Sequence, residues 1–418
     1  MNYKLIARGL GVLLAMVVVV TGVFAGGSRE ASRNELVISR WAGPHADDTK
    51  DVVREYGAAD IVVDDIDFGS LRQRHQTSFQ AASGRGSYDA VWVASQWMKE
   101  YVDAGYIIAI DDLAAEHGLD LSIYADGLLE GAQFYGNTYG LPTFAQTLIL
   151  AYDTEAFERA GLEPPATSEE LVEVARYFYE NEGTGIAVPA RQGGAAVNLY
   201  SQLLFSQGAY YFDDDGNLDL TSDESIYAAT VYSQLVEYSV EGTLTWHHDE
   251  TAEAVRMQRA PIGTVMSGLA NQFSDPERSL IVDTVGYAGI AGPDGHAAAN
   301  NNFWVWAIPA NAPDPDASFQ LISWLTSPDT EKQMTLMNQQ ISAVTSIAND
   351  PEVLETAPFL PVVMEVLANG RTDPASANFL DLREALIVGL SEIASTDVDP
   401  AAVMQRIQDE FADVDFSE

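Results

Sequence analysis

The residues with chemical potential do not assemble into a catalytic signature. The chain has no G-x-S-x-G elbow, no G-x-x-x-x-G-K loop and no H-E-x-x-H pair. Gly183-Thr184-Gly185 has Val188 where a dinucleotide-binding loop needs its third glycine. Asp213-Asp214-Asp215-Gly216-Asn217 suggests a calcium loop, but registering Gly216 on the sixth loop position leaves Tyr211 first and Ser222 twelfth, where carboxylates are needed. A hairpin turn around Asp-Gly is the competing reading. His247-His248-Asp249 offers ligand types for a metal, yet adjacent side chains diverge on either helix or strand. Carboxylate pairs such as Asp64-Asp65, Asp111-Asp112 and Glu169-Glu170 are too numerous, among 62 acids, to single out a glycosidase pair.

Aromatic residues say more. Among seven Trp, 18 Tyr and 16 Phe, Trp41 follows an apolar run, Trp97 follows another, and Trp304 lies just beyond Asn300-Asn301-Asn302. An indole face is a flat apolar platform for the C–H side of a sugar ring, and nearby Asn, Gln, Asp or Arg can bond its hydroxyls. The competing reading for any single Trp is core packing, and Trp92, Trp306 and Trp324 fall inside apolar runs that favour it.

The elements that must position these residues alternate in type. Leu36–Ile38, Ile61–Val63 and Ala90–Val93 read as strands, separated by helical patterns at Asp47–Tyr56, Leu71–Ala82 and Trp97–Ala104. This spacing predicts a parallel sheet covered by helices. A second α/β unit follows: Leu148–Leu150, a helix at Thr154–Ala160, and a helix opened by Thr167 with Glu170 three residues on. Ile186–Val188 and Val285–Ile290 read as further strands, Ser327-Pro328 as a helix start, and the chain from Pro351 to Phe411 as mainly helical.

Composition narrows the partners. The 418 residues carry 62 Asp+Glu against 21 Lys+Arg, a formal charge of −41, with 47% hydrophobic residues. That apolar content excludes a disordered acidic tail, and the length suits two or three domains. A negative field repels phosphate backbones, so nucleic acid is not an expected partner. Zero Cys removes thiolate catalysis, disulfides and Cys-ligated metal or iron–sulfur sites. The excess of acid has two readings, adaptation to a salty medium and plain solubility.

At the N-terminus, Lys4 and Arg8 precede an apolar run from Leu10 to Phe24, and Val23-Phe24-Ala25 presents a cleavage pattern. A signal peptide over residues 1–25 is expected, the run being short for a membrane span. Gly26 stands where a lipoprotein needs Cys, so an exported, periplasmic, freely soluble product is expected, with a polar tether at 26–33.

Three stretches together resemble the extracellular solute-binding proteins of ABC importers, in the carbohydrate-binding group typified by maltose-binding protein. They are Tyr88–Trp92 through Glu100–Gly105; Tyr139–Pro142 into Leu150–Asp153 and Ala160–Leu162; and Trp304–Pro309 followed by Phe319–Pro328. The resemblance implies a two-lobe α/β fold with several interlobe crossings and a ligand cleft that closes by hinge bending. It places the N-terminal lobe at 34–144 and 292–341 and the C-terminal lobe at 147–288 and 345–418. It implies a receptor, not an enzyme, that binds a sugar, oligosaccharide or polyol without a cofactor or metal and delivers it, as a monomer, to permease subunits.

Residue by residue, Trp41 and His45 match a first ligand loop, Ser95, Gln96 and Trp97 a second, Phe144 and Gln146 the first crossing, and Arg191 and Gln192 a loop of the far lobe. Gly268, Leu269 and Asn271 match a segment that often holds a stacking aromatic, which is absent here. Asn302-Phe303-Trp304 stands for a frequent Gly-Gly-Trp, Phe379 and Arg383 match a C-terminal helix that can face the cleft, and Ala343 stands where the third crossing often has Pro. A secreted glycosidase and a receptor of the same fold for a cationic solute are the rival readings.

Overall fold

In the computed structural model, residues 35–42, 46–374 and 376–416 are described. The expected signal peptide and tether lie outside them.

Two sheets organise the chain. The first has the order β2-β1-β3-β11-β6, with β1 Glu35–Trp41, β2 Asp60–Ile66, β3 Ala90–Ala94, β6 Leu141–Gln146 and β11 Asn302–Ala307. β1 pairs in parallel with β2 and β3, as the strand–helix–strand spacing predicts. β11 is antiparallel to both β3 and β6. All five residues of β3, Ala-Val-Trp-Val-Ala, are buried, as befits a central strand covered on both faces. A short hairpin of β4 Gln133–Phe134 and β5 Asn137–Thr138 precedes β6.

The second sheet runs β10-β7-β9-β8, with β7 Leu148–Asp153, β8 Ile186–Ala187, β9 Ile262–Met266 and β10 Val285–Ala288. The expectation of a parallel sheet holds for β1, β2 and β3 but not for the antiparallel β11 of the first sheet, and in the second α/β unit β7 is antiparallel to both β9 and β10 while β8 and β9 are parallel. The neighbours of β7 arrive from more than a hundred residues downstream, so local strand–helix spacing carries no information about their direction.

Helix starts follow local chemistry. Thr167 accepts from the Glu170 amide and opens Ser168–Glu182, and Ser327 caps Pro328–Asn338. Asp213–Asn217 forms a turn in which Asp213 Oδ1 accepts from the amides of Asp215 and Asn217, with Gly216 at φ 83°.

Among the described residues three segments link two large cores, with Ile149 and Ala270, from the far side of the first link, also packing in the first core. Ala145 belongs to the first and Leu148 to the second; Ala298 to the second and Ala299 to the first; Leu367 to the first and Phe379 to the second. This packing corrects two expected boundaries. Residues 345–368, expected in the C-terminal lobe, pack in the first core through Ile347, Val353, Phe359, Leu360, Val363 and Leu367. The segment expected to start the N-terminal lobe at 292 begins later: Ala298 is still in the second core, where Ser206 Oγ donates to the Ile290 and Ala298 carbonyls, while Ala297 packs against the first. Ala343 is therefore not at a crossing but wholly buried in the first core.

The second and third crossings are bonded together. Asn301 N donates to the Arg371 carbonyl at 2.7 Å and Arg371 N to the Ala299 carbonyl at 3.0 Å. Gly370 makes this approach possible, because a Cβ there would lie 2.2 Å from Asn301 Oδ1.

Candidate functional site

The carboxyl ends of β1, β3 and β6 and the start of β11 share one edge of the first sheet, where open α/β sheets place ligands. A cavity of ≈ 190 Å³ lies off that edge, and all three crossings contribute to its wall. Ser95 and Gln96 line it from the end of β3, Gln146, Thr147 and Leu148 from the first crossing, and Asn300, Asn301 and Asn302 from the second. Asp373 and Pro374 come from the third, Asn198 and Gln202 from the helix Gly194–Phe205, Met266 from β9, and Phe379, Leu380 and Arg383 from the helix Ala377–Ser395.

Six of the sequence-predicted residues therefore meet at one cavity: Ser95, Gln96, Gln146, Asn302, Phe379 and Arg383. Gln146 and Asn302 are register partners across β6 and β11. Gly268 stands beside them without lining the wall; a Cβ there would lie 2.8 Å from Gln146 Nε2, so its lack of a side chain makes room for that amide.

The other predicted residues are elsewhere. Trp304 is 4% exposed. Its ring stacks on Trp92 at 4.4 Å and on Trp41 at 5.7 Å, and meets Trp97 edge-on at 5.8 Å. In this arrangement its surface is spent on other indoles, so the expected role as an open sugar platform is not met. Trp97 is buried in the same group, and Trp41 alone of the three keeps partial exposure. Beneath them Trp92 carries the Arg40 guanidinium 4.6 Å above its ring. Phe144 is 1% exposed and packs against Trp92 at 6.0 Å; it belongs to the core, not the cavity. Arg191 and Gln192 are exposed in the turn before Gly194 and do not line the cavity, and neither does Asn271, half-buried in the 3-10 helix Ser267–Ser274. His45 lies outside the described residues.

Several lining residues were not anticipated. Asn198 and Gln202 lie four apart in the mainly apolar helix GAAVNLYSQLLF, hence on one face. Polar residues at that spacing inside an apolar helix were the available signal. Asp373 was hidden by the misplaced third crossing.

The cavity's charge is concentrated in one pair. Arg383 Nη1 donates to Asp373 Oδ2 at 2.7 Å and Nη2 to Asn198 Oδ1 at 2.7 Å. Asp373 Oδ1 also accepts from Tyr211 at 2.8 Å and from Asn300 Nδ2 at 3.0 Å. Both charges are therefore matched before a ligand arrives. Burial pushes the Tyr211 phenol well above its usual range, with the Asp373 charge adding to the effect. Among the described residues no group of three His, Cys, Asp or Glu is placed to hold a metal.

Comparison with known proteins decides the affiliation. Residues 43–332 match the family model described as bacterial extracellular solute-binding protein. The chain belongs to that family. A probable amino-acid ABC transporter periplasmic-binding protein from Sinorhizobium fredii is 25% identical over 317 residues, 73% of this chain and 72% of that one. The ABC transporter solute-binding protein from Agrobacterium radiobacter K84, solved in complex with ribitol, is 25% identical, with 90% of this chain and 98% of that one covered and a TM-score of 0.73. The sugar-binding protein MalE of Xanthomonas citri shares the fold at a TM-score of 0.78 and 16% identity, over 90% of this chain and 96% of that one. Two α/β lobes with a cleft between them are thus the family architecture, and the relatives are transport binding proteins.

Proposed function

We propose that this solute-binding protein captures a small, uncharged, hydroxylated guest, a monosaccharide or polyol, and delivers it to the permease of an ABC importer. The observation that carries this reading is the cavity wall. Five accessible side-chain amides, Gln96, Gln146, Asn198, Asn300 and Asn302, surround what is, among the described residues, a single carboxylate and a single guanidinium already bonded to each other. Amides donate and accept, which suits hydroxyls, and a neutral guest leaves the ion pair intact. The relative solved with ribitol supports the same class.

The volume of ≈ 190 Å³ is below the ~300–1,000 Å³ of drug-sized sites, which favours one ring or one short polyol over an oligosaccharide. Ser95 and Gln96 approach the guest from the first core, and Asn198 and Arg383 from the second. A guest touching both sides stabilises the closed form over the open one, and the permease senses that difference.

Turnover is not part of this proposal, since a glycosidase needs two carboxylates and, among the described residues, the cavity wall supplies only Asp373. Export through the predicted leader, cleavage after Ala25 and a monomeric state complete the reading. No helix among the described residues is long and apolar enough to cross a membrane.

The test is a calorimetric and tryptophan-fluorescence titration with pentitols, hexitols, monosaccharides, disaccharides, amino acids and betaines. Saturable binding of a neutral polyol or monosaccharide, recovered intact, is expected. Binding confined to amino acids or betaines, or recovery of cleaved sugar, overturns the proposal.

A further inference from the structure

Behind the cavity wall lies a polar group that a ligand does not reach. Tyr211 is fully buried, and its ring packs against Phe379 at 5.0 Å, Tyr210 at 5.2 Å and Phe205 at 5.3 Å. Its phenol donates to Asp373 Oδ1 at 2.8 Å, and Ser201 Oγ, which also reaches the Val197 carbonyl, meets the same phenolic oxygen. The donor that holds Asp373 from behind is therefore fixed by packing on every side given by these contacts.

A carboxylate offers about four acceptor sites. Tyr211 and Asn300 take the two on Oδ1 and Arg383 takes one on Oδ2, which leaves one on Oδ2 for a donor in the cavity that Asp373 lines. Asp373 is on the third crossing and Asn300 on the second, so the orientation of this carboxylate also ties the two crossings. Removing the phenolic donor would free Oδ1 on one side and allow the carboxylate to turn into a two-point pair with Arg383. That rotation turns the open acceptor site away from the cavity.

We propose that Tyr211 is a positioning residue for ligand capture: it holds Asp373 so that one Oδ2 lone pair accepts a ligand hydroxyl, while Arg383 stays neutralised and closed to acidic guests. The proposal rests on the neutral sugar or polyol reading given above. It identifies a selectivity element that the ligand never touches.

Calorimetric titration of wild type, Tyr211→Phe, Asp373→Asn and the double variant tests it, using whichever neutral polyol or monosaccharide wild type binds most tightly, with thermal melts in parallel. Tyr211→Phe removes one oxygen and keeps the ring, so its packing is preserved. The expected result is binding weaker on the order of tenfold for Tyr211→Phe. The loss should be larger for Asp373→Asn, and the double variant should be no weaker than Asp373→Asn alone. A purely structural tyrosine gives additive losses instead. Affinity of Tyr211→Phe within about twofold of wild type, or additive losses in the double variant, overturns the proposal. If wild type binds no neutral hydroxylated compound, the functional reading fails and this proposal with it, an outcome visible before any variant is compared.

Discussion

The side-chain amide of Gln202 bonds both ends of one residue of the first crossing: its Oε1 accepts from Leu148 N at 3.2 Å and its Nε2 donates to the Leu148 carbonyl at 2.7 Å. A helix side chain thus does for Leu148 what a neighbouring strand does elsewhere. Oε1 also accepts from Thr147 Oγ1 at 3.1 Å. Since Gln202 is 1% exposed, water cannot replace these bonds. Gln202→Leu should lower unfolding stability by about 2–4 kcal/mol in urea denaturation. A change below about 0.5 kcal/mol would show that the crossing does not depend on this amide.

Two buried imidazoles make the protein acid-sensitive. His75, between Ser39 Oγ and the Tyr101 hydroxyl, and His248 are both pushed down to about 3 by burial, with His247 adding to the effect on His248. The unfolded chain protonates near 6.5, so below that pH it binds protons that the folded chain does not. The stabilisation is present above about 6.5 and falls with acid by about 1.4 kcal/mol per pH unit for each group. Melting temperature measured from pH 7 to pH 4 should drop, and less steeply in His75→Gln than in wild type.

Glu331 has the opposite sign. Fully buried beneath β6, it accepts from Thr143 Oγ1 at 2.6 Å, with Ser342 and Gln340 also bonded to it. Burial raises its carboxyl to about 7 despite those donors. Its contribution is complete below the unfolded value of 4.5 and is lost as pH rises through about 7, on the order of 3 kcal/mol in all. Denaturant midpoints of Glu331→Gln from pH 5 to pH 8.5 should lose this dependence; a curve parallel to wild type would contradict the assignment.

Trp304 and Gln146 should separate stability from binding. Trp304→Ala removes a buried indole stacked on two others, and a loss of about 3–5 kcal/mol of stability is expected. Gln146→Ala trims a half-buried cavity amide, so the melting temperature should stay within a few degrees while ligand affinity falls about tenfold or more. Arg191→Ala, exposed and away from the cavity, should leave affinity unchanged. Equal loss of binding in Arg191→Ala and Gln146→Ala would place the ligand elsewhere.

Local pattern made three strands of the first sheet legible: the apolar runs at Leu36, Ile61 and Ala90 became β1, β2 and β3 in parallel register, whereas the antiparallel β6 and β11 were not anticipated. The direction of β9 and β10 was not, because it depends on chain that returns from far downstream. The third crossing was misplaced because residues 345–368 form helices whose apolar faces would suit either core, and only tertiary contact assigns them to the first. At the site, Gln96, Gln146, Asn302 and Arg383 were accessible through the resemblance. Trp304 was misjudged because sequence shows an aromatic at a strand start but not the Trp41 and Trp92 rings that cover it. Asn198 and Gln202 carried a readable spacing, whereas Asp373 had none.

The most direct measurement is a crystal structure of the protein with the polyol or monosaccharide that it binds most tightly. Density for one intact guest is predicted between Gln96 and Gln146 on one side and Asn198 and Arg383 on the other, with a hydroxyl donating to Asp373 Oδ2 and the Asp373–Arg383 pair unbroken. A guest bound outside this cavity, a cleaved guest, or an ion pair split by a charged ligand would contradict the account.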